Sequence, residues 1–247
     1  MNYQASISDF FKSPQWGMNM LLGSVAALIP AVGPIVVSGW VISVLWTQRP
    51  ESGDPARFPA FDFQFFAKYL ERGLWPFLVN LVASLALMPV MLLLMFGVMS
   101  GVGVFAPHAP RAAMGALGVA LIGGGVILYV VALLVFYLFT LPLTLRATLT
   151  QGFAQAFSLH FVKGFLSLIW LEALVVWMFL FGLGIVMMII AICTCYIGLF
   201  PSLVIVTFAL NHLLKQLYQL YVDRGGEPIT LSANLMETPP ALPPVAG

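Results

Sequence analysis

Two long apolar runs leave this chain few ways to fold. Leu74–Ser100 and Ala112–Leu145 contain no Asp, Glu, Lys or Arg. In lipid such a run needs only that its backbone groups bond within the segment, which a helix achieves. In water it would need an equally large apolar partner, and the rest of the chain is too apolar to cover itself. It is 61% hydrophobic and 8% charged, where soluble domains average about a quarter charged residues. The fold class that follows is all-α: a polytopic α-helical integral membrane protein. A net charge of +1 gives no field for nucleic acid.

The stretch Leu28-Ile-Pro-Ala-Val-Gly-Pro34 interrupts another apolar run, Met18 to Trp46. As one kinked helix, residues 17–48 would reach about 48 Å against a hydrocarbon core of about 30 Å. As two arms of about 20 Å each they make a short helical hairpin. Pro30 and Pro34 remove donors that lipid could not satisfy, and Gly33 supplies conformational freedom at the break. Charge favours the hairpin. The segment that follows carries Arg49, Arg57, Lys68 and Arg72 and reads as cytoplasmic, so a hairpin also keeps Lys12 inside. The N-terminus is a poor signal peptide, with Lys12 as its only early cation, and the first apolar piece is read as retained.

Around these runs lie amphipathic stretches. Met1–Gln15 places Ile7, Phe10 and Phe11 on one helical face and Asp9 and Lys12 on the other. After a loop broken by Pro50, Pro55 and Pro59, Phe61, Phe65 and Tyr69 follow at i, i+4 spacing with Asp62, Lys68, Glu71 and Arg72 between them. Phe153, Phe157 and Phe161 repeat the spacing before Lys163. Both stretches read as interfacial helices with an aromatic edge in the headgroup layer. The expected architecture is five to six membrane segments in three hairpins, with these two interfacial helices between them. The tips are Pro30–Pro34, Gly101–Arg111 and Cys193–Tyr196. Residues 1–222 form one helical membrane domain, and 17–100 and 112–217 read as an internal duplication. Gly123-Gly124-Gly125 offers a smooth face for close helix approach. Residues 223–247, with Gly225-Gly226, Pro239-Pro240 and Pro243-Pro244, read as a disordered Pro-rich tail.

Several of these stretches carry a family resemblance. Leu28 to Pro34, Ser38-Gly39-Trp40, the Pro-punctuated loop and the helix ending at Gly73 form the first part of it. Leu143 to Leu149, Cys195-Tyr-Ile-Gly198 and Ala209 to Gln216 form the second. Over roughly residues 10 to 222 the chain resembles the domain of unknown function 4013 family of bacterial integral membrane proteins. Its motifs are turns and span ends, so the resemblance implies a fold and no chemistry. The sparse cations at the first span's exit and the long Pro-rich tail depart from the family's pattern.

Few residues could carry chemistry. Glu172 lies inside an apolar run, and an antiparallel last helix would bring Asn211 and His212 to its depth, as a proton or cation site or as a structural hydrogen bond. Arg146, Lys163 and Lys215 cluster at cytoplasmic span ends, where they could meet lipid headgroups or simply fix orientation. Cys193 and Cys195 sit near Met187 and Met188, but no further soft ligand lies close in sequence, so no metal and no cofactor is expected. No nucleophile–base pair and no phosphate loop occurs. The expectation is a non-enzymatic scaffold, assembly or lipid-interacting factor. The alternative is a small-solute, lipid or ion transporter using a protonatable Glu172. Expected partners are membrane lipids and either other membrane proteins or further copies of the chain. The expected location is the bacterial inner membrane, multi-pass, with both termini cytoplasmic.

Overall fold

The computed structural model describes residues 1–46, 60–105 and 111–236, and for 98–105 and 111–122 the backbone alone. All regular structure among them is helical: α1 (Ala5–Lys12), α2 (Trp16–Ala27), α3 (Val32–Leu45), α4 (Phe66–Phe105), α5 (Arg111–Thr150), α6 (Phe153–Ala156), α7 (Leu159–Cys193), α8 (Leu199–Asp223) and α9 (Ala233–Met236). The loop holding Arg49, Pro50, Pro55, Arg57 and Pro59, the tip at Pro107–Pro110 and the last Pro pairs lie outside the described residues.

Among the described residues four helical segments are long and apolar enough to cross a membrane: Phe63–Gly97, Gly123–Thr150, Leu159–Cys193 and Leu199–Asp223. The other two of the expected membrane segments, α2 and α3, have 12 and 14 residues and are each too short to cross alone. Only 6% of the most apolar window of the first segment is buried, and 17% of those in the second and third. Side chains such as Leu93, Phe96, Ile127, Met188 and Ile189 are more than half exposed. Surfaces of this kind are stable against lipid, and the chain is a multi-pass membrane protein.

The chain divides into two compact units, Met1–Val79 with Leu141–Gly247, and Asn80–Thr140. The second consists of stretches of α4 and α5. Gly123 and Gly124, expected to seat a close helix, have nothing within reach of an added Cβ.

In the first unit the break at Pro30–Pro34 separates α2 from α3, which contact each other and α8. Pro34 sits in the first turn of α3, where no amide hydrogen is needed. The residue of positive φ in the turn is Ala31 (φ 62°). Gly33 has a different task. A Cβ there would stand 2.7 Å from Ala27 Cα, so its absence lets the first turn of α3 abut the last turn of α2.

Nearly all of α3 is buried, around a fully enclosed Trp40. Phe61 and Tyr69 join that core, with Trp40 and Phe61 ring centres 5.6 Å apart. They do not edge a surface helix, because α3 and α4 cross with their backbones in contact. A Cβ on Gly39 would collide with the Tyr69 carbonyl oxygen and stand 2.8 Å from the Gly73 nitrogen. With no break at Gly73, the expected interfacial helix is instead the first turns of α4. The second aromatic stretch does break. Ser158 accepts a hydrogen bond from Phe161 N (3.4 Å) as the N-cap of α7, so Phe153 lies on α6 and Phe161 on α7. The N-terminal helix α1 packs its Phe10 against Phe208 of α8 and buries it completely.

Of the stretch expected to be a disordered tail, residues 223–236 are among the described residues. Gly225 (φ +86°) ends α8, and Gly226 N bonds Tyr221 O at 2.9 Å while Gly225 N bonds Val222 O at 2.9 Å, a Schellman closure. The chain then crosses the end of the unit. Ile229 N donates to Tyr218 Oη (2.9 Å) and Ser232 N to Leu149 O (2.9 Å), and Leu235 is fully buried.

Candidate functional site

Polar side chains of the first unit gather in three places. The deepest is Arg72 on α4, which is 1% exposed. Its Nη1 donates to Ser43 Oγ (2.8 Å), Nε to Asn234 Oδ1 (3.4 Å) and Nη2 to the main-chain oxygen of Asn234. Ser43 Oγ in turn donates a hydrogen bond to Gly39 O (2.8 Å), and Asn234 Nδ2 donates to Glu71 Oε1 (3.1 Å). This hub ties α3, α4 and α9 together. Sequence reasoning placed Arg72 at the headgroups, although Tyr69, Arg72 and Gly73 share one helical face, and that face is buried. A charge so placed is costly to leave without partners, which makes the hub a structural fastening.

The second place is a set of polar contacts along α7 and α8. Glu172 and His212 are not brought together. Glu172 pairs with Arg224, and His212 Nε2 lies 3.3 Å from Asp9 Oδ2, with Nδ1 3.0 Å from Gln216 Nε2. Asn211 Nδ2 donates to Thr207 O of its own helix (3.0 Å). The Arg224 contact has a local cause. Ile169 breaks the helical path of α7 (φ −140°), and Arg224 Nη1 bonds the carbonyl of Leu168 beside that break (2.6 Å). Glu172 thus holds the cation that caps an irregular turn. Its charge also reaches the N-terminus, where burial and then the Glu172 carboxylate push the Tyr3 phenol up from its ordinary value.

The third place is a cleft of about 550 Å³ where α5, α7, α8 and the tail meet. Arg146 comes from the last turns of α5. Its Nε donates to Gln155 O (2.6 Å), and its guanidinium lies 5.3 Å from the centre of the Phe161 ring. Among the described residues the two terminal nitrogens of Arg146 meet no hydrogen-bond partner. Phe161 meets Tyr221 edge to face at 5.5 Å, and Tyr221 Oη accepts from Glu227 N at 3.1 Å. Gly226 makes this possible, since a Cβ on it would collide with the Tyr221 ring. Gly164 leaves room on the α7 side, and His160 and Ser158 complete the rim.

Of the three cations expected at headgroups, only Arg146 lines this cleft. Lys163 is exposed on the same end of α7. Lys215 is engaged elsewhere, donating its Nζ to Leu45 O (2.7 Å) at the C-terminus of α3. Glu227 and Tyr221 went unnoticed in sequence, although Gly225-Gly226 is the ordinary signature of a helix end that turns its chain back. Cys193 and Cys195 are exposed free thiols, and no group of three metal-ligating side chains occurs among the described residues.

The family described as Protein of unknown function (DUF4013) matches residues 22–196. No curated protein and no solved structure matches the chain.

Proposed function

We propose, for a chain that belongs to the DUF4013 family of proteins of unknown function, that it is a non-enzymatic lipid-interacting factor of the bacterial inner membrane. The observation that carries this reading is the position of the cleft. Residues 173–192 of α7 are free of charge, and at 1.5 Å per residue they reach about 30 Å, the thickness of the hydrocarbon core. Glu172 then sits at the edge of the hydrocarbon. Residues 158–168, which wall the cleft, stand in the headgroup layer beside the ends of α5 and α8. An arginine with open donors at that depth suits a lipid phosphate.

In this reading α2 and α3 form a short hairpin that enters the membrane without crossing it. Both termini lie on the cytoplasmic side with Lys12, Arg146, Lys163 and Arg224. The exposed stripe of Met18, Leu21, Val25 and Leu28 on α2 meets lipid tails. The pairing of Glu172 with Arg224 argues against a proton-coupled transporter, because the carboxylate is already neutralised by a structural partner.

The test is photocrosslinking in bilayers with phospholipids carrying a diazirine next to the phosphate. Adducts are expected within 146–168 and 221–230. Labelling spread along 173–192 with none at the cleft would overturn the reading.

A further inference from the structure

The cleft carries two opposite charges that do not meet. Arg146 and Glu227 both line it, yet no ion pair joins them, and among the described residues neither has another charged partner. Between them lies a floor of two rings. Arg146 sits over Phe161, Phe161 abuts Tyr221, and Tyr221 holds the main chain of Glu227 through its hydroxyl. The order of residues across the cleft is therefore Arg146, Phe161, Tyr221, Glu227. A purely anionic ligand would satisfy Arg146 and be repelled at Glu227. A ligand with a phosphate at one end and an amine a few bonds away would satisfy both, and its ammonium would also face aromatic rings.

We infer that the cleft binds an aminophosphate zwitterion, a phosphate diester or monoester joined to a primary amine, with phosphate on Arg146 and amine on Glu227. This rests on the lipid reading above for its source, which is an ethanolamine-type headgroup, and refines that reading by naming the charge pattern recognised. The two terminal nitrogens of Arg146 are open among the described residues while its Nε is anchored on Gln155 O, so the guanidinium is already held before ligand arrives. The main chain of Glu227 is placed by the turn at Gly225 and Gly226 and by its amide bond to Tyr221. The volume of about 550 Å³ lies in the range of small-molecule sites.

The experiment uses the full chain in nanodiscs of phosphatidylcholine doped with equal amounts of phosphatidylethanolamine and phosphatidylglycerol. Retained lipid is counted by native mass spectrometry. Wild type is expected to retain phosphatidylethanolamine about three- to fivefold over phosphatidylglycerol, the worth of one partly exposed charge contact. Glu227→Gln should bring that ratio to about one, and Arg146→Gln should lower retention of both. Equal or greater retention of phosphatidylglycerol by wild type, or an unchanged ratio in Glu227→Gln, overturns the zwitterion and leaves the lipid reading standing. Loss of no lipid on Arg146→Gln overturns both. A parallel arm titrates soluble phosphoethanolamine. If it binds with both side chains required while no lipid is retained, the recognised chemistry stands and the lipid source falls.

Discussion

Deleting residues 232–247 removes both Asn234 acceptors from Arg72 and withdraws Leu235 from its pocket. Leaving a buried charge short of partners costs about 3–5 kcal/mol, and losing a buried leucine costs about 1.5–3 kcal/mol more. Water entering the vacated groove returns part of the first term, because it can solvate the guanidinium. The two contributions are separable by a cycle. In an Arg72→Met background the deletion takes no partner from a buried charge, so its cost should fall by about 2–3 kcal/mol and approach the leucine term plus the Ser232–Leu149 bond. The assay is equilibrium unfolding of the full chain in mixed micelles. The readout is tryptophan emission, since Trp40 and Trp46 are 0% and 7% exposed beside the affected helices. If the deletion costs the same in both backgrounds, within about 0.5 kcal/mol, the tail is held by apolar contact only and the fastening described for Arg72 is wrong.

Gly39→Ala and Gly73→Ala should each destabilise by about 3 kcal/mol or more, because the obstacle is the backbone of the facing helix. Their thermal midpoints in detergent should fall well below that of Gly97→Ala, where an added Cβ meets nothing. Glu172→Gln should change stability by about 1 kcal/mol or less, the pair being 41% and 24% exposed, and should leave no pH-dependent flux to lose in proteoliposomes. Lys215→Met should cost about 1.5–3 kcal/mol by freeing the Leu45 carbonyl. It should leave lipid retention unchanged, which separates it from Arg146.

How far the sequence could be read depended on distance along the chain. The membrane class follows from uncharged runs, and the break at Pro30–Pro34 from local backbone chemistry, so both were legible. Even there the division of labour between Ala31 and Gly33 was not, because the steric demand on Gly33 comes from the last turn of α2. Arg72 is the clearest case of what stays hidden. Locally, Phe61 to Arg72 has the pattern of a surface helix, and its burial is decided by Gly39 on α3 and Asn234 on α9. The partner of Glu172 was misjudged for a similar reason. Antiparallel depth pointed to His212, but the break at Ile169 creates a carbonyl that draws Arg224 instead. At the cleft, Arg146 was visible as a cation at a span end, while Glu227 lay in a segment whose composition suggested disorder.

The bond between Arg72 and Asn234 spans 162 positions of sequence. At about 5–20 residues per second, synthesis would take about 8–32 s to deliver the acceptor after the arginine has emerged. Through that interval the nascent protein carries an unfinished end. The turn at Asn234 therefore completes the bonding of Arg72 only when almost the whole chain has been made.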